Sequence, residues 1–117
     1  MRAGSEERAA VLADWRDVVN MTADEVGRWL RDPRSRRCGM RRAGERETVG
    51  RKSGRRIVRM LRARPARWSE ADWAWARKVV GYCKRHLAER RPEWGDDIED
   101  RKWTWSLRNW GHDPSRT

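Results

Sequence analysis

Residues 69–89 read SEADWAWARKVVGYCKRHLAE, and this stretch decides the fold that the sequence predicts. Ser69 can cap a helix, and acidic residues in the first turn suit the helix dipole. On a helical wheel the apolar side chains form two opposite faces. One face holds Trp73, Ala76, Val80, Cys83 and Leu87, and the other holds Trp75, Val79, Tyr82 and His86. A helix that is apolar on two sides packs on both, so we expect this helix to be central.

Helical signals recur along the rest of the chain. Ser5 is the expected cap of a first helix, and Thr22 with Glu25 forms a capping box at the start of a second. Gly111 suits the position that follows a last helix. The expected helices cover about 5–19, 22–32, 48–64, 69–89 and 100–110. Because no segment alternates with the period of a strand, we predict an all-α fold, with residues 1–117 forming a single compact domain of about five helices.

Tryptophan replaces the usual aliphatic core residues. Apolar residues make up 37% of the chain and charged residues 40%, so the core is modest. The chain has nine Trp, one Tyr and no Phe, and each indole ring supplies a large buried area. These numbers predict a Trp-rich core. Trp68 and Trp94 adjoin charged loops, and we expect either of them to be exposed enough to stack on a nucleobase.

The positive charge is concentrated in one third of the chain. The formal net charge is +11, and residues 32–67 carry 14 basic and 3 acidic side chains, whereas the segments on either side are nearly neutral. Such clustering creates a directed field that favours an anionic partner. No apolar run is long enough to span a bilayer, and the N-terminus lacks the apolar segment of a signal peptide. We therefore expect a cytoplasmic protein without a membrane partner.

The basic third divides into a loop and a helix. Residues 32–47 read DPRSRRCGMRRAGERE, which predicts an extended or mobile basic loop. Residues 48–64 form an amphipathic helix whose apolar side carries Ile57, Val58, Met60 and Leu61. Gly50 and Gly54 lie four residues apart, which indicates close approach by another backbone. The opposite side of the helix carries six cations, namely Arg51, Lys52, Arg55, Arg56, Arg59 and Arg62.

Three interpretations of this cationic side are open. Like charges at helical spacing repel, so some anion must offset them. Nucleic-acid phosphates are the first candidate. Carboxylates from another part of the chain, such as the acidic loop 96–100, are the second, and an acidic protein partner is the third.

Three other chemistries are disfavoured by spacing. GRKS at 50–53 lacks the strand and the Gly-Lys junction of a phosphate-binding loop. Cys38, Cys83, His86 and His112 match no compact zinc module, and both cysteines are expected to be buried or reduced thiols. His112 and Asp113 adjoin one another without a recognisable nucleophile. We expect no catalytic residue, no metal and no cofactor, and the chain is not predicted to be an enzyme.

Several strings resemble a known bacterial family, the domain of unknown function 3140 (DUF3140). They are MTADEVGRWL (21–30), ETVGRKSGRRIVRML (47–61), RKVVGYCKRHLAER (77–90) and WSLRNWGHDP (105–114). The resemblance covers roughly residues 14–114. It implies no catalytic residues, and it implies DNA binding only in so far as some members carry that label. Residues 21–61 also resemble, more weakly, the helix, extended loop and helix of SAP-type DNA-binding modules.

The sequence therefore predicts a nucleoid-associated DNA-binding protein. It would contact the phosphates of double-stranded DNA with little sequence preference, and it would lie in the bacterial nucleoid. The alternatives are an RNA- or ribosome-binding protein, or an adaptor that docks its basic face on an acidic protein. The main contact row is Lys52, Arg55, Arg56, Arg59 and Arg62, and the auxiliary arm is Arg36, Arg37, Arg41 and Arg42.

Overall fold

A computed structural model describes residues 4–116, which form five α-helices and four short 3-10 helices. The α-helices are α1 (Ser5–Val18), α2 (Ala23–Arg31), α3 (Val49–Arg62), α4 (Glu70–Leu87) and α5 (Lys102–Asn109). The 3-10 helices are Pro33–Arg37, Pro65–Arg67, Pro92–Trp94 and Pro114–Arg116, and each begins at a proline, whose fixed φ suits a first helical position. No strand occurs within residues 4–116. The all-α prediction and the five helices are confirmed.

Side-chain caps fix the starts of three helices. Thr22 and Glu25 form the predicted capping box of α2, in which the Glu25 amide donates to Thr22 Oγ1 at 3.2 Å. Thr48 accepts from the amide of Arg51 at the start of α3. Ser69 forms a capping box with Asp72 at the start of α4. The first helix differs from the prediction, because Gly4 occupies the cap position and the expected cap, Ser5, is already helical.

The helices pack as two pairs joined by α5. Helix α1 packs on α4, and α2 packs on α3, while α5 contacts α2, α3 and α4 as well as the 3-10 helix Pro33–Arg37. Both predicted faces of α4 adjoin the core, yet the element in contact with most others is α5. Its polar residues concealed this position from the sequence pattern, since Thr104 and Asn109 are buried and satisfy their side chains by hydrogen bonds within the protein.

Indole rings fill much of the core, as predicted. Trp68 lies between Trp15 and Trp73 in edge-to-face contacts, with ring centroids 5.2 and 4.8 Å apart. The Trp68 Nε1–H donates to the carbonyl of Met60 at 3.1 Å, so this indole is buried with its polar atom satisfied and the expectation of an exposed Trp68 is wrong. Trp94 is half-buried, and the guanidinium of Arg101 lies 4.4 Å from its ring centroid.

Gly54 lets α3 approach two neighbouring helices closely. A Cβ atom at this position would lie 2.7 Å from the carbonyl oxygen of Asn109 and 2.9 Å from Leu30 Cδ2, which is closer than real Cβ contacts. Gly50, one turn earlier, faces Trp110 Nε1 at 3.1 Å. The predicted close approach by another backbone is therefore confirmed at Gly54, whereas at Gly50 the close neighbours are the side chains of Trp110 and Asn109.

This packing predicts opposite effects of one substitution at two helical glycines. Gly54→Ala should lower the free energy of unfolding by about 2 kcal/mol, because the backbone carbonyl of Asn109 cannot move aside without disturbing α5. Gly27→Ala in α2 should raise it by up to about 1 kcal/mol, since a Cβ there would meet only Arg31 Nη1 at 3.9 Å. Urea denaturation followed by circular dichroism measures both. Equal effects at the two sites would contradict the packing.

Candidate nucleic-acid interface

The first part of the predicted loop 32–47 is a short helix held by hydrogen bonds and ion pairs. Residues Pro33–Arg37 form a 3-10 helix that Asp32 caps by accepting from the Arg34 amide at 2.9 Å. The Arg34 guanidinium pairs with Asp32 and with Glu99. Ser35 and Cys38 are buried. The segment is therefore anchored to the core through residue 38, and the irregular part of the loop begins only after it, with a turn closed by the Glu45 amide and the Arg42 carbonyl.

Arg51 lies on the cationic side of α3, as the sequence placed it, but it is buried. Its side chain is 8% exposed, and its Nη1 donates to the carbonyl of Leu30 and to Ser35 Oγ, each at 2.7 Å. Its Nε lies 3.3 Å from a carboxylate oxygen of Glu47. A charge can be buried at this position because hydrogen bonds and a carboxylate satisfy it. Arg51 thus connects α3 to the end of α2 and to the start of the loop.

Asn109 of α5 completes this buried network. Its Oδ1 accepts from Trp29 Nε1 at 2.9 Å and from Ser35 Oγ at 2.5 Å, and its Nδ2 donates to the carbonyl of Ser35 at 3.1 Å and lies 3.4 Å from Cys38 Sγ. All four hydrogen-bonding positions of the amide are used. The sequence interpretation missed this residue, because Asn109 lies off the helix face that Trp103, Leu107 and Trp110 share and so gave no local signal of burial.

The loop and the first turns of α3 form a concave surface around a cavity of about 1040 Å³, which we call the basic groove. It brings together three residues of the predicted arm and two of the predicted row. Seven basic and two acidic side chains line it, namely Arg36, Arg37, Arg41, Arg46, Arg51, Lys52, Arg55, Glu45 and Glu47. Arg42 lies outside it, in a smaller adjoining cavity of about 140 Å³ beside Trp75 and Lys78.

Two carboxylates of the groove hold the cations at its α3 edge. Lys52 pairs with Glu45, and Arg55 pairs with Glu47 through both guanidinium nitrogens. The Lys52 and Arg55 side chains nevertheless remain 47% and 55% exposed. The exposed pair of Lys52 with Glu45 contributes about 0 to 1 kcal/mol, so an external anion can replace Glu45. Glu47 is half-buried and also pairs with Arg51, so it stays in place while the exposed Arg55 guanidinium keeps donors for a further anion.

The other three residues of the predicted row lie outside the basic groove. Arg56 and Arg59 both contact the buried carboxylate of Asp72, at 3.2 and 2.7 Å, and the Arg56 guanidinium also lies 5.1 Å from the centroid of the Trp75 ring. Arg62 pairs with Asp24 on the exposed surface. The predicted row is therefore split, with Lys52 and Arg55 facing the groove.

The carboxylates that offset α3 are not those of the acidic loop 96–100. Glu99 of that loop pairs with Arg34 and Arg108 instead. The charges on α3 are offset by Asp24, Glu45, Glu47 and Asp72. Internal neutralisation thus contributes, but from the loop before α3 and from the first turns of α2 and α4.

The histidine and cysteine side chains lie apart from the groove, with the exception of Cys38. His112 is buried, its Nδ1 lies 2.6 Å from the carbonyl of Val18, and burial lowers its pKa. Burial raises the pKa of the Cys83 thiol to about 12. Within residues 4–116 no three His, Cys, Asp or Glu side chains are grouped so that they could hold a metal, and no helix there is long and apolar enough to cross a membrane.

The buried network predicts that neighbouring cations on α3 differ sharply. Arg51→Met should lower the free energy of unfolding by about 3 kcal/mol, because it leaves the Leu30 carbonyl and Ser35 without their donor. Lys52→Met should change it by less than about 0.5 kcal/mol, since Lys52 is exposed. Chemical denaturation measures stability, and hydrogen exchange of residues 35–47 should accelerate in Arg51→Met alone. Similar losses in both variants would contradict the assignment.

The Asp72 contacts predict a loss of stability in acid. The hydrogen bond from Arg59 lowers the pKa of Asp72 from its ordinary value of 3.8 to about 2. The ionised Asp72 therefore contributes fully to the free energy of unfolding above pH 3.8, and this contribution is lost as the pH falls through 2. Asp72→Asn should lower the free energy of unfolding at pH 7 by about 1 to 2 kcal/mol and flatten its decline between pH 4 and pH 2. Urea denaturation across this pH range measures the slope. An unchanged slope would exclude the Asp72 contribution.

Comparison with known proteins gives a family but no activity. No curated protein and no solved structure matches the chain. A family model described as "Protein of unknown function (DUF3140)" matches residues 14–108, which include α2, α3, α4 and most of α5. This range contains the basic groove and, of the buried network, Arg51 and Ser35, while Asn109 follows its last residue. Since the match extends over most of the 117 residues, the chain belongs to the DUF3140 family.

Proposed function

We propose that the protein binds double-stranded DNA through the basic groove, as a nucleoid-associated protein with little sequence preference. One observation carries the proposal. Within residues 4–116, the guanidinium groups of Arg36, Arg37, Arg41 and Arg46 form no ion pair or hydrogen bond, although they line one concave surface. Four exposed like charges placed together repel one another, and this repulsion is relieved when phosphates occupy the groove.

The groove also provides cations that can be recruited. Lys52 is held by an exposed pair with Glu45, which a phosphate can replace at small cost, and the exposed Arg55 guanidinium can bind a phosphate beside its pair with the half-buried Glu47. A bound DNA backbone would therefore meet up to six mobile cations, because Arg51 is committed to the interior. Arg59 and Arg62 would add contacts only where a duplex extends along α3 beyond the groove.

The side chains present favour phosphate contact over base reading. Lys and Arg side chains position a duplex by its backbone, whereas adenine is read mostly by Asn or Gln. The chain has no Gln, Asn109 is buried in the network around Ser35, and Asn20 donates to the carbonyl of Asp113. We therefore expect affinities for unrelated sequences to agree within a few-fold.

Salt titration tests the proposal directly. If six phosphates are engaged, the affinity for a short random duplex should fall by about 10³-fold between 50 and 200 mM salt, because binding releases counterions. Removal of two groove cations in Arg37→Gln/Arg41→Gln should reduce the slope of log affinity against log salt by about 2. Fluorescence anisotropy measures both.

The matched control removes the same charge elsewhere. Arg16→Gln/Arg85→Gln takes two cations from the exposed surfaces of α1 and α4, outside the groove, and should leave the slope nearly unchanged. Equal effects of the two pairs would mean that only net charge matters, and a flat salt response would overturn the proposal. Competition by duplex RNA would favour an RNA ligand. Capture of a protein from nuclease-treated lysate, lost only with the groove variant, would favour an acidic partner.

A further inference from the structure

Met40 is an exposed apolar side chain in the middle of the cationic loop. It is 83% exposed, and no other large hydrophobic residue within residues 4–116 is classed as exposed. The remaining large apolar side chains are buried or half-buried in and around the Trp-rich core. A thioether side chain left in water forgoes the free energy that burial would give, so this position offers a contact that the fold itself does not use.

The backbone fixes the position of Met40. Gly39 has a φ of +86°, which turns the chain, and it packs against Thr48, whose Cβ would lie 3.7 Å from a Cβ on the glycine. The carbonyl of Met40 accepts from the Val49 amide at 2.9 Å. One residue earlier, Cys38 is buried against Asn109. The backbone of Met40 is therefore held beside the start of α3.

Met40 stands at the rim of the basic groove. Its neighbours Gly39 and Arg41 line the groove, whereas the Met40 side chain is absent from the lining and points into solvent. A duplex whose phosphates lie in the groove would therefore press its edge against Met40. Proteins that bind the minor groove of DNA often combine Arg side chains with an apolar side chain such as Met, which inserts between base pairs and kinks the duplex.

We infer that Met40 inserts between adjacent base pairs of the DNA bound in the basic groove, and that the preferred partner is a duplex that unstacks easily. This inference rests on the proposed function. Insertion requires that one base step be unstacked, and this distortion costs least at a mismatch or at a flexible pyrimidine-purine step. The protein would thus select DNA by how easily the duplex kinks and not by the identity of its bases.

The experiment compares two duplexes of the same length with the full-length protein. One carries a central mismatch and the other is fully paired, and both carry a fluorophore at each end so that bending changes the energy transfer. The wild-type protein should bind the mismatched duplex about tenfold more tightly and bend both. Met40→Gln, which keeps the length of the side chain, should bind the two duplexes equally and bend neither. Its thermal unfolding should be unchanged, because residue 40 is exposed.

Arg41→Gln is the contrasting variant, since it removes a neighbouring phosphate contact and leaves Met40 in place. It should bind both duplexes more weakly while it keeps the tenfold preference and the bending. Equal wild-type binding to both duplexes without bending would overturn the inference and leave the proposed function intact. Failure to bind either duplex would overturn both. Binding to vesicles of anionic phospholipid that Met40→Gln loses, without DNA bending by the wild type, would assign Met40 to a lipid surface instead.

Discussion

The hydrogen-bonded contact of Arg51, Ser35 and Asn109 is the interaction on which the basic groove depends. It joins the start of the loop to α3 and α5, and Arg51 also bonds the carbonyl of Leu30 at the end of α2. A buried cation and a buried amide are tolerated because their donors and acceptors are paired. The network fixes where the loop leaves the core, and therefore where its arginines and Met40 are presented.

Close packing of the backbone reinforces this network. Because Gly54 has no side chain, α3 approaches the carbonyl of Asn109 and the side chain of Leu30, and so Arg51 can reach its partners. The indole of Trp29 donates to the same Asn109 oxygen that accepts from Ser35. The core and the candidate interface are consequently one structure, in which a change to the helix packing would displace the surface cations.

The cations of α3 fall into two groups that differ in their partners. Arg56 and Arg59 share the buried Asp72, which also belongs to the capping box of α4, so these two cations connect α3 to the start of α4. Lys52 and Arg55 remain exposed beside Glu45 and the half-buried Glu47, and the loop arginines 36, 37, 41 and 46 form no ion pair within residues 4–116. The protein therefore separates structural cations from cations that remain able to bind an external anion.

The sequence alone determined the helices, because caps, prolines and apolar periodicity are local signals. The boxes at Thr22 and Ser69, the basic helix and the close approach at Gly54 could all be read from it, as could the Trp-rich core and the concentration of charge. Tertiary structure decided which cations are available. Arg51 and Arg55 occupy the same side of a helical wheel, yet one is buried and the other exposed, since the partners of Arg51 come from segments up to 21 residues away. Helical periodicity does not predict contacts between residues so far apart in the sequence, because these contacts form only when the helices pack together.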